Sequence, residues 1–201
     1  SYNRRKFLPL TIASIRQELD TSNISYEIIV VDGGSTDGSV EWLVKQKDII
    51  TIIQHNRGKW KNKPIKRKSW GFFINLGFKT AHGKYVCMLS DDCLVTPGAI
   101  IEGYKVFENL LQKGENVGAV AFYWRDWPIM DKYSIHTFYG LINVNHGLFL
   151  REALHKVGYA DEETYSFYYG DVDLTFKLYQ EGYSVISSDK SFIEHYLHAN
   201  L

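Results

Sequence analysis

Apolar runs broken by turn residues recur along the chain. Residues 26–31 (Tyr-Glu-Ile-Ile-Val-Val) stop at Asp32-Gly33-Gly34, the pattern of a strand buried on both faces and closed by a turn. Ser35, Thr36 and Asp37 then offer oxygens to cap a helix over 38–47. Ile49–Ile53 predicts a strand, 69–82 a helix, and Lys84–Leu89 a further strand that runs into Ser90-Asp91-Asp92. Pro97 suits the first turn of a helix reaching 113 and closed by Gly114. Strands follow at Val117–Tyr123 and within 141–150. Val172, Phe176 and Tyr179 fall near helical spacing over 171–181, Gly182 ends that helix, and Ser184–Ile186 forms a short last strand. A helix over 5–19 opens the chain, with no strand before it. This alternation predicts an α/β fold, a mostly parallel central sheet flanked by helices, and one domain over 1–201.

Composition narrows the class without naming a function. The 201 residues are 45% hydrophobic and 23% charged, which fits a globular chain and excludes a disordered one. Twenty-three basic residues balance twenty-three acidic ones, which argues against a general nucleic-acid binder. Two cysteines, Cys87 and Cys93, do not make a disulfide scaffold, so a reduced, cytoplasmic setting is expected. No apolar run approaches the roughly 20 residues that span a bilayer, and no signal peptide is expected.

In an open α/β sheet, ligands bind at the carboxyl ends of strands. Asp32 sits at one such end, where a lone aspartate is most often a turn residue. Asp91-Asp92 sits at another. Adjacent carboxylates repel unless a cation lies beside them, and a hard divalent metal sharing a diphosphate meets that demand. Asp171 and Asp173 open a helix, where acids favour the dipole; two apart, they project differently, so Asp171 can face a pocket as a general base. His195 and His198 lie near the end of the sequence. Residues 57–68 carry seven basic side chains around Trp60, either a solvated loop or a cover for a diphosphate or an anionic acceptor. Trp124, Trp127, Tyr133, His136 and Tyr139 mark a candidate acceptor pocket, and Tyr165–Tyr169 could wall it. Gly33 to Gly38 has P-loop spacing but Ser39 stands where lysine is required, and neither G-x-G-x-x-G nor H-E-x-x-H occurs.

Taken in order, these residues resemble the family 2 glycosyltransferases of the GT-A fold. The matching stretches are Tyr2-Asn3-Arg4, Glu27 through Asp37, Asn75-Leu76-Gly77, Ala81 through Tyr85, Leu89-Ser90-Asp91-Asp92, Gly158-Tyr159, Asp171 through Leu174, and Glu181-Gly182-Tyr183. The resemblance implies an inverting transfer of a sugar from a nucleoside diphosphate donor, UDP- or dTDP-type, to a hydroxyl on a saccharide or lipid-linked acceptor. It implies that Asp32, Asp91, Tyr2 and Asn75 contact the donor nucleotide, that Asp92 and His195 hold Mn²⁺ or Mg²⁺, and that Asp171 is the base. Polysaccharide or glycoconjugate synthesis is the expected setting, with peripheral contact at the inner face of a membrane. The chain departs from the family pattern in three places: its first strand is absent, Gly33 replaces a second acid, and Ile74 replaces an arginine. Two rival readings are a catalytically silent domain that binds nucleotide sugars or glycans, and a nucleotidyltransferase.

Overall fold

The computed structural model describes residues 1–197. Helix α1 (Leu8–Leu19) turns Leu8, Ile12 and Leu19 inward. Strand β1 (Ile28–Asp32) pairs in parallel with β2 (Ile49–Ile53), in the register Ile28↔Ile49 to Asp32↔Ile53. Between them α2 (Ser39–Leu43) is shorter than 38–47. Asp37 accepts from the Ser39 amide and hydroxyl at its start, while Lys45 and Gln46 bond back only three residues and so tighten its end.

Next come the hairpin β3 (Lys59–Trp60) and β4 (Lys63–Pro64), then α3 (Trp70–Thr80), whose first turn is capped by the Ser69 hydroxyl accepting from Phe72 N at 3.1 Å. Strands β5 (Tyr85–Met88) and β6 (Cys93–Val95) flank the Asp91-Asp92 turn. Helix α4 (Ala99–Gln112) leads to β7 (Val117–Asp126), the small hairpin β8 (Thr137–Phe138) and β9 (Leu141–Ile142), and β10 (Gly147–Leu150). Helices α5 (Arg151–Lys156) and α6 (Gly170–Gln180) precede β11 (Ser184–His195).

Five strands form a sheet in the order β5-β10-β7-β11-β6. Here the helix–strand alternation misleads: β7 and β11 are parallel, but β10 runs antiparallel to both its neighbours and β6 antiparallel to β11. The α/β class holds, and the sheet is mixed rather than mostly parallel. Strand β11 is also far longer than Ser184–Ile186. Its polar interruption at Asp189-Lys190 is a bulge between Ser188 and Phe192, where the Ser191 hydroxyl donates to the Ala99 carbonyl at 2.6 Å. That continuation brings His195 to the end of the sheet. The expected strand within 141–150 divides into β9 and β10, leaving 143–146 free to turn into the site.

Both faces of the five-stranded sheet are buried. One packs Val120, Phe122 and Ile193 on Phe107 and Ile100 of α4; the other packs Phe149 and Ala121 on Leu174 and Leu178 of α6. Gly103 on α4 is demanded by that contact, since a Cβ there would lie 2.3 Å from the Phe122 ring. A smaller cluster of Leu8, Ile12, Ile28, Val30, Leu43 and Ile49 holds the β1–β2 pair. Among the described residues no ladder joins β1 to β5. An apolar slot lined by Ile28, Val30, Ile12 and Cys87 separates them and opens into one cleft of about 2240 Å³. At its mouth the Ser1 ammonium donates to the Val31 carbonyl at 2.6 Å, and Gly33 N donates to the Ser1 carbonyl at 2.7 Å.

Candidate active site

Three strands converge on one wall of the cleft. The β6–β11 register sets Cys93 opposite His195, and the β11–β7 register sets His195 beside Asp126. His195 therefore stands between two carboxylates: Nδ1 lies 2.6 Å from Asp126 Oδ1, and Nε2 lies 3.4 Å from Asp92 Oδ1. Burial alone would lower the imidazole's pKa, but Asp92 and Asp126 outweigh it and leave the pKa raised. Trp124 meets the His195 ring edge-on at 5.6 Å and fixes its plane. Behind them His146 is fully buried against Cys93, Nε2 to Sγ 3.7 Å; burial first, and His195 second, push its pKa down to about 3. Burial and the Asp92 charge push the Cys93 thiol well above its usual range.

Asp91 and Asp92 need a cation beside them, and Arg4 provides one. Its guanidinium lies 3.8 Å from Asp91 and 3.9 Å from Asp92, ahead of α1. Asp91 Oδ2 remains buried with no hydrogen-bond partner among the described residues. The donor atoms of Asp92, Cys93 and His195 all lie within 4.8 Å of one another. Carboxylate oxygen with imidazole nitrogen fits a divalent first-row ion, and Asp126 on the far ring nitrogen is the usual orienting partner of a metal-bound histidine. The residues present fit a divalent metal.

The same cleft is lined by Asp171, in the first turn of α6. Asn143 and Asn145 both donate through Nδ2 to its Oδ2, at 3.0 and 3.1 Å. Asn143 is itself fixed by the Thr175 hydroxyl at 3.1 Å. Gly170 ahead of it is required by packing, because a Cβ there would lie 2.9 Å from the Trp70 ring. Asp173 points elsewhere and pairs with Lys177 at 3.0 Å, as the two-residue spacing predicts.

Two expected donor contacts are spent on the fold instead. Asp32 is completely buried: Oδ1 accepts from the Gly34 and Ser35 amides at 2.8 and 2.7 Å, and Oδ2 from the Ser35 hydroxyl at 2.7 Å. It is a turn residue, not one that faces the cleft. Asn75, 2% exposed, donates to the Ala160 carbonyl at 2.9 Å and Glu162 Oε1 at 2.8 Å, and accepts from Ala160 N at 3.0 Å. Its amide ties the 160–162 segment to α3 and leaves nothing for a ligand. Tyr2 does line the cleft, its ring beside Gly33 and under the Arg57 guanidinium at 4.2 Å.

The aromatic clusters divide in the same way. Trp124 and His136 border the cleft and Phe167, Tyr168 and Tyr169 stand exposed along its rim, while Tyr139 is 98% exposed and Tyr133 bonds to Glu194 beside Arg125. His198 lies outside the described residues. In the sequence Arg4 stands only within the Tyr2-Asn3-Arg4 stretch, without a role, and Asp126, Asn143 and Asn145 were not identified. Only Arg4 carried a signal, the need of Asp91-Asp92 for a cation.

No helix among the described residues is long and apolar enough to cross a membrane. In backbone shape the chain is similar to TarS from S. aureus, with a TM-score of 0.69 at 16% identity, covering 98% of this chain and 35% of that one. A mannosyltransferase from Pyrobaculum calidifontis, solved with GDP-Man and Mn²⁺, gives a TM-score of 0.70 at 18% identity, over all of this chain and 56% of its own. These likenesses show the GT-A fold. Chondroitin synthase from Pasteurella multocida (strain Pm70) is 28% identical over 101 residues, 48% of this chain but only 9% of that protein, so the chain spans a small part of that relative's length. The model of glycosyl transferase family 2 matches residues 1–156, and the chain belongs to that family.

Proposed function

We propose that this chain transfers a sugar from a nucleoside diphosphate donor to a hydroxyl acceptor, with inversion at the anomeric carbon. The observation that carries the reading is that two constellations line one cleft: the Asp92–His195–Asp126 chain, and Asp171 held by two amides. Asp92 and His195 would hold a Mn²⁺ or Mg²⁺ ion, which neutralises charge on a departing diphosphate when bound. The imidazole ligand favours Mn²⁺ over Mg²⁺. Arg4 sits where it adds positive charge to the same group, and Tyr2 and Asp91 border the donor's side of the cleft. Asp171 takes the acceptor proton. Asn143 and Asn145 both load one of its oxygens, which orients the carboxylate so that Oδ1 faces the hydroxyl.

Support for a nucleotide donor comes from the solved neighbours, one in complex with UDP-GlcNAc and another with GDP-Man. We favour a UDP- or dTDP-type donor and a saccharide or lipid-linked acceptor, in polysaccharide or glycoconjugate synthesis at the cytoplasmic side of a membrane. Asp171 and its two amide partners argue against a silent binding domain, which has no use for an oriented base. Thermal shift with UDP, dTDP and GDP, with and without Mn²⁺, tests the donor; release of free nucleoside diphosphate, rather than pyrophosphate, tests the reaction and excludes a nucleotidyltransferase. No stabilisation by any of the three nucleotides would overturn the reading, since a ligand at 100 times its Kd stabilises by about 2.7 kcal/mol.

We also propose that residues 1–201 act as one domain and that the slot beside β1 suits the family's opening strand. The two bonds at Ser1 set the direction in which such a strand would lie, parallel to β1.

A further inference from the structure

The 57–68 excursion concentrates charge in a way nothing else in the molecule does. The whole sequence is neutral, yet these residues carry seven cations and no acid. Elsewhere cations find partners: Arg16, Lys79, Lys84 and Arg125 each reach a carboxylate. Among the described residues, none of the seven has a carboxylate oxygen within 4.0 Å. Lys68 feels a carboxylate at longer range, that of Glu162. Like charges crowded together with so little counter-charge repel, and a fold keeps such an arrangement only against that repulsion.

The excursion is also built rather than loose. Asn56 clamps its far end, accepting from Lys68 N at 2.6 Å and donating to the Lys68 carbonyl at 3.2 Å. Ile65 N donates to the Gly58 carbonyl at 3.0 Å, below the β3–β4 ladder. Lys61 and Asn62 turn the hairpin in the left-handed region, with φ of 47° and 63°. Arg57 rests on the Tyr2 ring and Lys68 lies 5.0 Å above the Phe72 ring. Arg57, Lys66, Arg67 and Lys68 border the cleft that holds Asp92 and Asp171; Lys59, Lys61 and Lys63 continue outward along the hairpin, with Trp60 72% exposed among them.

We propose that this excursion is a docking track for an anionic acceptor: an extended glycan chain carrying repeated phosphate or carboxylate groups, led past Trp60 and the basic rim to Asp171. The inference rests on the transfer reading above and names its acceptor class. A diphosphate alone is too short a partner, because Arg4 and the metal-binding pair already serve it and the hairpin extends several residues at about 3.3 Å each beyond the cleft. A membrane surface fits less well, since four of the seven cations face the cleft rather than the hairpin tip.

The test uses long-chain polyphosphate, polygalacturonate and neutral dextran as probes, titrated by tryptophan fluorescence, with UDP and Mn²⁺ titrated in parallel. Both polyanions should bind and dextran should not, with affinity falling as salt rises. The Lys59→Gln/Lys61→Gln/Lys63→Gln triple should weaken polyanion binding about tenfold, and the corresponding arginine triple should restore it. UDP affinity should stay unchanged in both. Equal polyanion affinity in wild type and the glutamine triple overturns the proposal, as does loss of UDP binding in that triple, which would make the hairpin a donor clamp. Binding to phosphatidylglycerol vesicles without binding to either polyanion overturns it in favour of a membrane contact. The UDP arm reports on the transfer reading separately: polyanion binding without any nucleotide binding removes the acceptor role.

Discussion

The β1–β2 pair closes its carboxylate into a turn, whereas the five-stranded sheet aims its own into the cleft. Both arrangements begin with an aspartate at or next to a strand end. After Asp32 the chain turns at Gly34, whose φ is 85°, and so presents the Gly34 and Ser35 amides to the carboxylate. After Asp92 the chain enters β6 at once, and the following amides belong to the strand. Asp92 must therefore look across the sheet, where it meets His195 and Arg4. An acid at a strand end becomes a turn residue when its own loop supplies donors, and reaches across the sheet when only distant side chains can.

The largest effect expected from breaking this contrast is at Asp171. Asp171→Asn keeps shape but cannot take a proton, so kcat should fall about 10²–10⁴-fold with donor affinity nearly intact, measured by nucleoside diphosphate release. Asp173→Asn should leave turnover standing, because its partner is Lys177. Reversal of that order would put the base on the wrong carboxylate.

Next comes Asp126, which touches the proposed metal pair through His195. Asp126→Asn should weaken Mn²⁺ affinity by about 10–100-fold, read by calorimetry, with UDP binding in the absence of metal unchanged. Asp32→Ala should do the opposite. It strands the Gly34 and Ser35 amides and should destabilise by about 1–3 kcal/mol, a melting shift of several degrees, with Mn²⁺ affinity unmoved. If Asp32→Ala alters metal binding as strongly as Asp126→Asn, the two sheets are not the separate holders described.

The sequence made the sheet's acids readable because they stand in local patterns: a doubled aspartate after an apolar run, an aspartate opening a helix. Their partners were not readable. Asp126 reaches His195 only through the β7–β11 register, and that register exists because β11 continues past a polar bulge that reads as a strand end. Asn143 and Asn145 act because β9 and β10 are two strands with a turn between. Asp32 and Asn75 matched the family's pattern while most of their actual partners were backbone amides and carbonyls, which no side-chain pattern displays. The antiparallel β10 was hidden for the same reason, since strand direction follows from connections rather than from alternation.

The slot between the sheets offers a smaller test. The β1–β2 cluster is held by six buried apolar side chains, four of which border the cleft, while the larger sheet is covered on both faces. A six-residue segment of alternating valine and threonine joined ahead of Ser1 should raise the melting temperature by pairing with β1, and a proline-containing segment of equal length should not. Equal melting temperatures would show that the slot takes no strand.

The smallest effect concerns what ties the two sheets together. Helix α3 touches both: Gly77 approaches Val31 of β1, and Phe78 packs on Phe149 of β10 with ring centres 5.9 Å apart. From the same helix Asn75 holds Glu162, and its amide, aided by Lys79, keeps that carboxyl below the usual glutamate pKa. A carboxyl whose pKa is lowered on folding contributes stability above its unfolded pKa, and that contribution is lost as pH falls through the folded value. The melting advantage of wild type over Glu162→Gln should therefore be complete near pH 6 and shrink steadily below about pH 4.3. Lys79 is half-exposed, so added salt should trim its share and leave the amide's share in place. A wild-type advantage that grows on acidification would mean that Glu162 strains the joint, and that the tie between the sheets is the apolar contact of α3 alone.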